Sequence, residues 1–137
     1  MRTIRVLILE DDLRTLSILL NKLHWLEEEL ANASSPKDIS IAILSEYSQV
    51  EKFINKSDEL DFDVILLDRD CKAGGSFHTL DIERFGADKI ISISSVSDYN
   101  EEAKKRGVTK IVRKDYENLE QFAKEVLVEI MGVIKST

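Results

Sequence analysis

Four places in the sequence gather residues able to do chemistry, and each closes an apolar run. "IRVLILEDD" ends in Glu10, Asp11 and Asp12, and "DVILLDRD" ends in Asp68, Arg69 and Asp70. "IISISS" ends in Ser94 and Ser95, and "TKIVRKD" in Arg113, Lys114 and Asp115. Carboxylates brought together repel one another, which raises their pKa values unless a cation joins them. A hard divalent cation is the natural companion of oxygen ligands, and Mg2+ (or Mn2+) suits a site that also handles phosphate. A carboxylate beside such a cation can attack phosphorus and form an acyl phosphate. A lysine supplies a positive point charge for the phosphoryl oxygens, and a hydroxyl supplies a hydrogen bond. For the acids at 68–70 three readings stand side by side: phosphoryl chemistry, a metal site, and a solvated strand end.

The elements that must carry these residues are legible as alternating patterns. Apolar runs of strand length lie at Ile4 to Leu9, Ile39 to Leu44, Phe62 to Leu67, Lys89 to Ile93 and Thr109 to Val112. They are rich in Ile and Val and largely continuous, as strands buried on both faces are. Helical spacing falls between them. Leu13, Leu16, Leu20, Leu23 and Leu26 or Leu30 form one stripe, on a helix opening after Asp11 or Asp12. Tyr47, Val50 and Ile54 form a second, and "SFHTLDIERFG" is a short third. "SDYNEEAKKRG" has the acidic start, basic end and closing Gly107 of a capped helix. Leu119, Phe122, Ala123, Val126, Leu127, Ile130 and Ile134 mark the fifth.

Five strands alternating with five helices predict an α/β fold: a doubly wound, five-stranded parallel sheet with helices on both faces. Right-handed crossovers favour the flavodoxin-like order 2-1-3-4-5. Ligands of such sheets bind beyond the carboxyl ends of the strands, where the strand order reverses. Here that crevice lies between the first and third strands, and both end in acids.

Composition narrows the function classes. The 137 residues suit one domain, spanning 1–137, and no linker or repeat divides them. With 43% hydrophobic and 33% charged residues the chain is an ordinary globular one. A net charge of −7 argues against a general nucleic-acid binder. The basic run Lys104 to Arg106 reads as the solvated end of a helix. One cysteine, Cys71, permits no internal disulfide and fits a reducing compartment. The N-terminal run is too short and closes on an acid, so no signal peptide and no membrane span are expected, and the location expected is cytoplasmic.

The ordered set of acid pair, central aspartate, hydroxyl and lysine, each at a strand end, resembles the receiver domain (CheY-like) of two-component response regulators. The resemblance runs from "IRVLILEDD" through "DVILLDRD" and "IISISS" to "GVTKIVRKD". It implies that Asp68 is the phosphoacceptor. Asp11 would bind Mg2+ directly, Glu10 mainly through water, and the backbone carbonyl of Asp70 would complete the protein's share of the ligands. Lys114 would contact the phosphoryl group, and Ser94 would be the switch hydroxyl. A sensor histidine kinase or phosphotransfer protein would be the donor. The modified surface would bind a downstream protein through the face of helix four, strand five and helix five; a homodimer is a further possibility. The protein would be a stand-alone receiver and no enzyme, catalysing only its own phosphorylation and dephosphorylation.

Several positions depart from that pattern. Arg69-Asp70-Cys71-Lys72 and Gly74-Gly75 stand where an apolar pair, a proline and a glycine are usual. Asp115 follows Lys114 in place of a proline, and Ile111 occupies the position of the switch aromatic. The extra carboxylate of Asp70 is expected to alter the lifetime of an acyl phosphate or the metal affinity.

Two rivals remain. One is a degenerate receiver serving as an unphosphorylated interaction module, favoured by the altered loop and opposed by the complete set of acids, hydroxyl and lysine. The other is a Mg2+-dependent phosphatase of the haloacid-dehalogenase type, with Asp68 as nucleophile and Asp70 as general acid/base. There the nucleophile strand comes first and the paired acids last, whereas here Glu10 and Asp11 come first. Plain structural roles are expected elsewhere. Asp12 is placed as a helix N-cap, Ser95 as a loop hydrogen-bonding group, and Cys71 as a small packing residue. His24 and His78 read as surface or boundary residues, and Trp25 as packing for the first helix or an interface.

Overall fold

A computed structural model describes residues 2–69 and 76–136, and Asp70, Cys71 and the Gly74-Gly75 pair lie outside them. Five strands form: β1 (Arg2–Leu9), β2 (Lys37–Leu44), β3 (Val64–Leu67), β4 (Ile90–Ser92) and β5 (Lys110–Ile111). All pair in parallel, in the order β2-β1-β3-β4-β5. This is the expected doubly wound sheet.

Alternation along the strands sorts the core into two layers. Ile4, Val6, Ile8, Val64, Leu66, Ile91 and Ile93 face α1 (Leu13–Ala31) and α5 (Leu119–Ser136). Leu7, Leu9, Ile65, Leu67 and Ile90 face the opposite layer with Val50, Ile54, Phe77, Ile82 and Phe85. β3 and β4 are buried throughout, which accounts for the unbroken apolar sequence of β3 and leaves Ser92 as the polar residue of β4. β2 departs from the expectation of burial on both faces. It is an edge strand, and Ile41 and Ile43 are partly exposed because its second face lacks a full covering layer.

The stripe of α1 is also rotated from the predicted one. Thr15, Leu16, Leu19, Leu23 and Leu26 are buried, whereas Leu13 is 76% exposed and Leu20 36%. Both sets follow helical spacing; the sheet selects the one centred on Leu19 and Leu23, and Leu13 and Leu20 fall on its flank. Asp12 caps this helix as expected, accepting hydrogen bonds from the Thr15 N–H at 3.0 Å and the Thr15 hydroxyl at 2.6 Å.

The second helix is a short α2 (Tyr47–Gln49) that widens into a π-helical turn over Val50–Asn55. The wide turn keeps Val50 and Ile54 buried while Tyr47, one of the three predicted anchors, stays exposed. Its open carbonyl end is held by Arg84, whose guanidinium donates to the carbonyls of Ile54, Asn55, Ser57 and Leu60. The third helical segment splits into a 3-10 turn (Phe77–Thr79) and α3 (Ile82–Phe85), joined through the buried Leu80. A further 3-10 turn (Ala87–Lys89) leads into β4, and α4 (Ser97–Lys105) follows that strand. Gly107, at φ +97°, turns the chain from α4 towards β5, a backbone angle that suits glycine.

Candidate functional site

The sheet ladder runs one to three residues past the strands and so fixes the site. The Glu10 N–H donates to the Leu44 carbonyl at 3.3 Å, and the Asp68 N–H to the Leu9 carbonyl at 3.0 Å. On the other side the Ile93 N–H bonds the Leu67 carbonyl at 2.9 Å and the Lys114 N–H bonds the Ser94 carbonyl at 3.2 Å. Four strand ends are thereby locked at one sheet edge, around the point where strand order reverses between β1 and β3.

Three of the predicted residues form a buried knot. Glu10 is 0% exposed, Asp68 4% and Lys114 3%. The Lys114 ammonium donates to both carboxylates, at 3.1 Å to Asp68 Oδ2 and in a shorter bond to Glu10 Oε1. The other Glu10 oxygen accepts from the Asp11 and Asp12 N–H groups at 3.0 and 3.1 Å. Those amides begin the turn into α1, so Glu10 is both a charge in the site and a bracket for the loop. Asp11 completes an oxygen cluster with Glu10 and Asp68, one oxygen from each lying within 4.8 Å of the others.

The electrostatics of this knot are unbalanced. Burial, then the Glu10 carboxylate, pushes the Asp68 carboxyl up from its ordinary 3.8 to about 8, against the opposing pull of Lys114. Burial alone would lower the Lys114 pKa, but Asp68 and Glu10 outweigh it and hold the ammonium above its ordinary range. One ammonium thus serves two buried carboxylates, with the Asp11 carboxylate beside them. A hard divalent cation fits that deficit and the all-oxygen donor set, with Asp11, Asp68 and Glu10 as the side chains to hold it.

Ser94 is buried at the end of β4, and its hydroxyl accepts from the Val96 N–H at 3.1 Å. Ser95 is half-buried, and its carbonyl accepts from the Arg113 Nε at 3.4 Å. Ile111 packs against the second core layer, and Asp12 serves α1 as its cap. The Asp70 carbonyl lies outside the described residues. An open groove of about 620 Å³ flanks Lys114, lined by Ser95, Arg113, Asp115, Tyr116, Gln121 and Phe122 among others.

Two features escaped the reading of the sequence. Asn100 is buried inside α4; its amide oxygen accepts from the Ser92 hydroxyl at 2.6 Å and its amide nitrogen donates to the Ser94 carbonyl at 3.0 Å. Its spacing of three from Ala103, the buried apolar residue of the helix, was the available signal. The second is Arg69, whose side chain reaches Ser76, Tyr99 and Glu102. No local pattern reveals those partners, because they come from distant segments.

No family model and no curated protein matches this sequence. Among solved structures, the bacteriophytochrome response regulator AtBRR superposes with a TM-score of 0.60, covering 97% of this chain and 95% of that one at 15% identity. A fusion containing the trimeric coiled coil of yeast Spc42, amino acids 181–211, reaches a TM-score of 0.48 at 16% identity, covering 100% of this chain and 85% of that one, too low to carry an argument. No helix among the described residues is long and apolar enough to cross a membrane. Strand order, parallel pairing, helices on both faces and the superposition on AtBRR agree: the chain has the receiver-domain fold of response regulators.

Proposed function

We propose that the protein is a phosphoacceptor of two-component signalling, with Asp68 as the residue modified. The observation that carries this reading is the buried Glu10–Asp68–Lys114 knot with Asp11 beside it, set at the strand-order reversal. A Glu, an Asp and a Lys from three different strand ends form it, which a merely solvated edge does not require. The donor is a phosphohistidine on a kinase or phosphotransfer protein. An Asp68 carboxylate oxygen attacks phosphorus, the bond from phosphorus to the imidazole nitrogen breaks, and that nitrogen keeps the electron pair while the other ring nitrogen carries a proton. The product is an acyl phosphate on Asp68 and a neutral histidine on the donor. Lys114 offers its ammonium to the phosphoryl oxygens as it now does to the Asp68 carboxylate. Mg2+, held by Asp11, Asp68 and Glu10, would supply charge neutralisation for those oxygens and favour the ionised form of Asp68. Ser94, at the neighbouring strand end, is the hydroxyl that reports the change, by leaving the Val96 amide for a phosphoryl oxygen. The chain is not a turnover enzyme in this reading, and its output is a protein contact through α4, β5 and α5.

Intact-protein mass after incubation with acetyl phosphate tests this, with and without Mg2+ and alongside Asp68→Asn. The expected result is a Mg2+-dependent gain of one phosphoryl group that the variant lacks. Steady release of inorganic phosphate without accumulation would replace the proposal with a phosphatase. Neither gain nor turnover, repeated with beryllofluoride as a stable mimic, would leave an unphosphorylated interaction module.

A further inference from the structure

We propose that the chain associates with a second copy of itself through the outer edge of β2, the two sheets joining edge to edge. This association does not depend on the chemistry of Asp68. β2 pairs with β1 on one side and ends the sheet on the other among the described residues, so half of its backbone donors and acceptors are aimed outward. Sheet edges that stay single are kept short, or are broken by proline, a bulge or an inward charge. β2 runs for eight residues without proline, and its register with β1 is unbroken. Its two charged residues, Lys37 and Asp38, stand together at one end.

The strand is also its own complement. Register with β1 sets Ile39, Ile41 and Ile43 on the α1 side. A two-fold axis through Ile41 lays a second β2 antiparallel to the first, with Ile41 opposite itself and Ile39 opposite Ile43. Branched side chains then meet across the centre, and on the other side the small Ser40 faces Ala42. Shifting the register by two residues spoils the match: one direction sets Asp38 against Glu46, the other sets Lys37 against Ile43. In the central register Lys37 of each copy lies beside Glu46 of the other, and opposite charges meet at both ends.

Apolar ground flanks this edge on both faces. On the α1 side a groove of about 600 Å³ is lined by Leu13, Leu16, Leu20 and Ile43 among others. Leu13 is 76% exposed there, and Ile41 and Ile43 38% each. On the opposite side a groove of about 420 Å³ is lined by Ser40, Ala42, Ile54, Leu60 and Phe62 among others. The axis turns α1 of the two copies antiparallel, so Leu13 and Leu20 fill the first groove from across the seam. The area is also sufficient. Eight residues at about 3.3 Å each give about 26 Å of edge, and a layer about 10 Å thick on either side of the sheet brings its height to about 30 Å. That face matches the roughly 800 Å² per copy of a standard interface. β5, at the far edge of the sheet, stays free for other contacts.

Sedimentation equilibrium of the full chain over a wide concentration range tests this. A dimer, twice the 15.6 kDa of the chain, is expected. Ile41→Lys sets two like charges face to face on the axis and should weaken the dimer about a hundredfold. Val128→Lys, exposed on α5, should leave it intact. Circular dichroism checks that both variants fold, and cross-linking reads the register without a disruptive charge. In a Cys71→Ser background, Ile41→Cys places two thiols on the axis, which should join in an intermolecular disulfide on oxidation with copper phenanthroline. Ser40→Cys should not, because its two thiols stand two residues out of register and beyond disulfide reach. A monomer at every concentration would overturn the dimer and leave the edge to a strand of another protein. A dimer that survives Ile41→Lys, or Ser40→Cys linking as readily as Ile41→Cys, would overturn β2 as its seat.

Discussion

At the scale of single residues, the site is defined by two carboxyl groups buried side by side. Asp68 is a carboxyl buried beside another carboxylate, and the lysine between them does not fully compensate. This has a measurable consequence in metal-free protein. The folded state holds the Asp68 proton up to about pH 8, whereas an unfolded chain releases it near 3.8. The stabilisation from that proton is complete below the unfolded value and is lost as pH rises through the folded one. With EDTA present, the stability of the unsubstituted protein relative to Asp68→Asn should therefore fall between about pH 4 and 8, by on the order of 1 kcal/mol per pH unit. Urea titrations across that window read the difference directly, and parallel profiles for the two proteins would remove the imbalance from the account. The acids, Ser94 and Lys114 were all visible in the sequence because each follows an apolar run. Their protonation was not visible, since it depends on how deeply the strand ends are buried.

At the scale of elements, local pattern and tertiary choice part company. Five strands and the long α1 and α5 follow from apolar runs and helical spacing, because those elements bury large continuous faces. The rotation of α1 does not follow, as two overlapping leucine stripes satisfy the same spacing and packing on the sheet selects one. The π-helical turn over Val50–Asn55 does not follow either, because what closes it is an arginine from a different segment. Arg84 donates to four carbonyls there, from Ile54 to Leu60, while its own guanidinium stacks 4.6 Å from the Phe85 ring. Such carbonyls at a helix end need partners, and a partly buried one left without any costs about 1 kcal/mol or more. Arg84→Ala should thus destabilise the protein by about 2–3 kcal/mol in chemical denaturation. Arg84→Lys should recover only part of that, since one ammonium cannot match a fork of five donors. A loss under about half a kcal/mol would mean that water replaces the guanidinium at little cost.

At the scale of the whole molecule, the sheet does two jobs that conflict. It is a rigid frame with apolar layers on both faces, and it gathers the Glu10, Asp11 and Asp68 carboxylates at one edge. The frame is what makes the crowding tolerable, since the ladder bonds of Glu10, Asp68 and Lys114 hold the charges where repulsion would otherwise part them. Legibility divides along the same line. The frame is written in periodicity and was readable in its strands and long helices, while contacts such as that of Arg69 with Glu102 join segments far apart in sequence. A divalent cation that joins the edge binds only the folded arrangement, because an unfolded chain scatters residues 10, 11 and 68. Mass action then requires the folded state to gain stability with the logarithm of cation concentration once the site is filling, about 2.7 kcal/mol at a hundred times the dissociation constant. Mg2+ should therefore raise the melting temperature in a saturable, concentration-dependent way, most fully above about pH 8, with Mn2+ acting likewise. The gain should shrink at lower pH, where the proton on Asp68 competes for the same oxygens. Asp11→Asn and Asp68→Asn should each remove most of the increment, whereas Glu101→Gln, exposed on α4, should leave it intact. An increment of equal size in all four proteins would assign the effect to general screening of the net charge of −7 and would dismiss the acidic edge as a cation site.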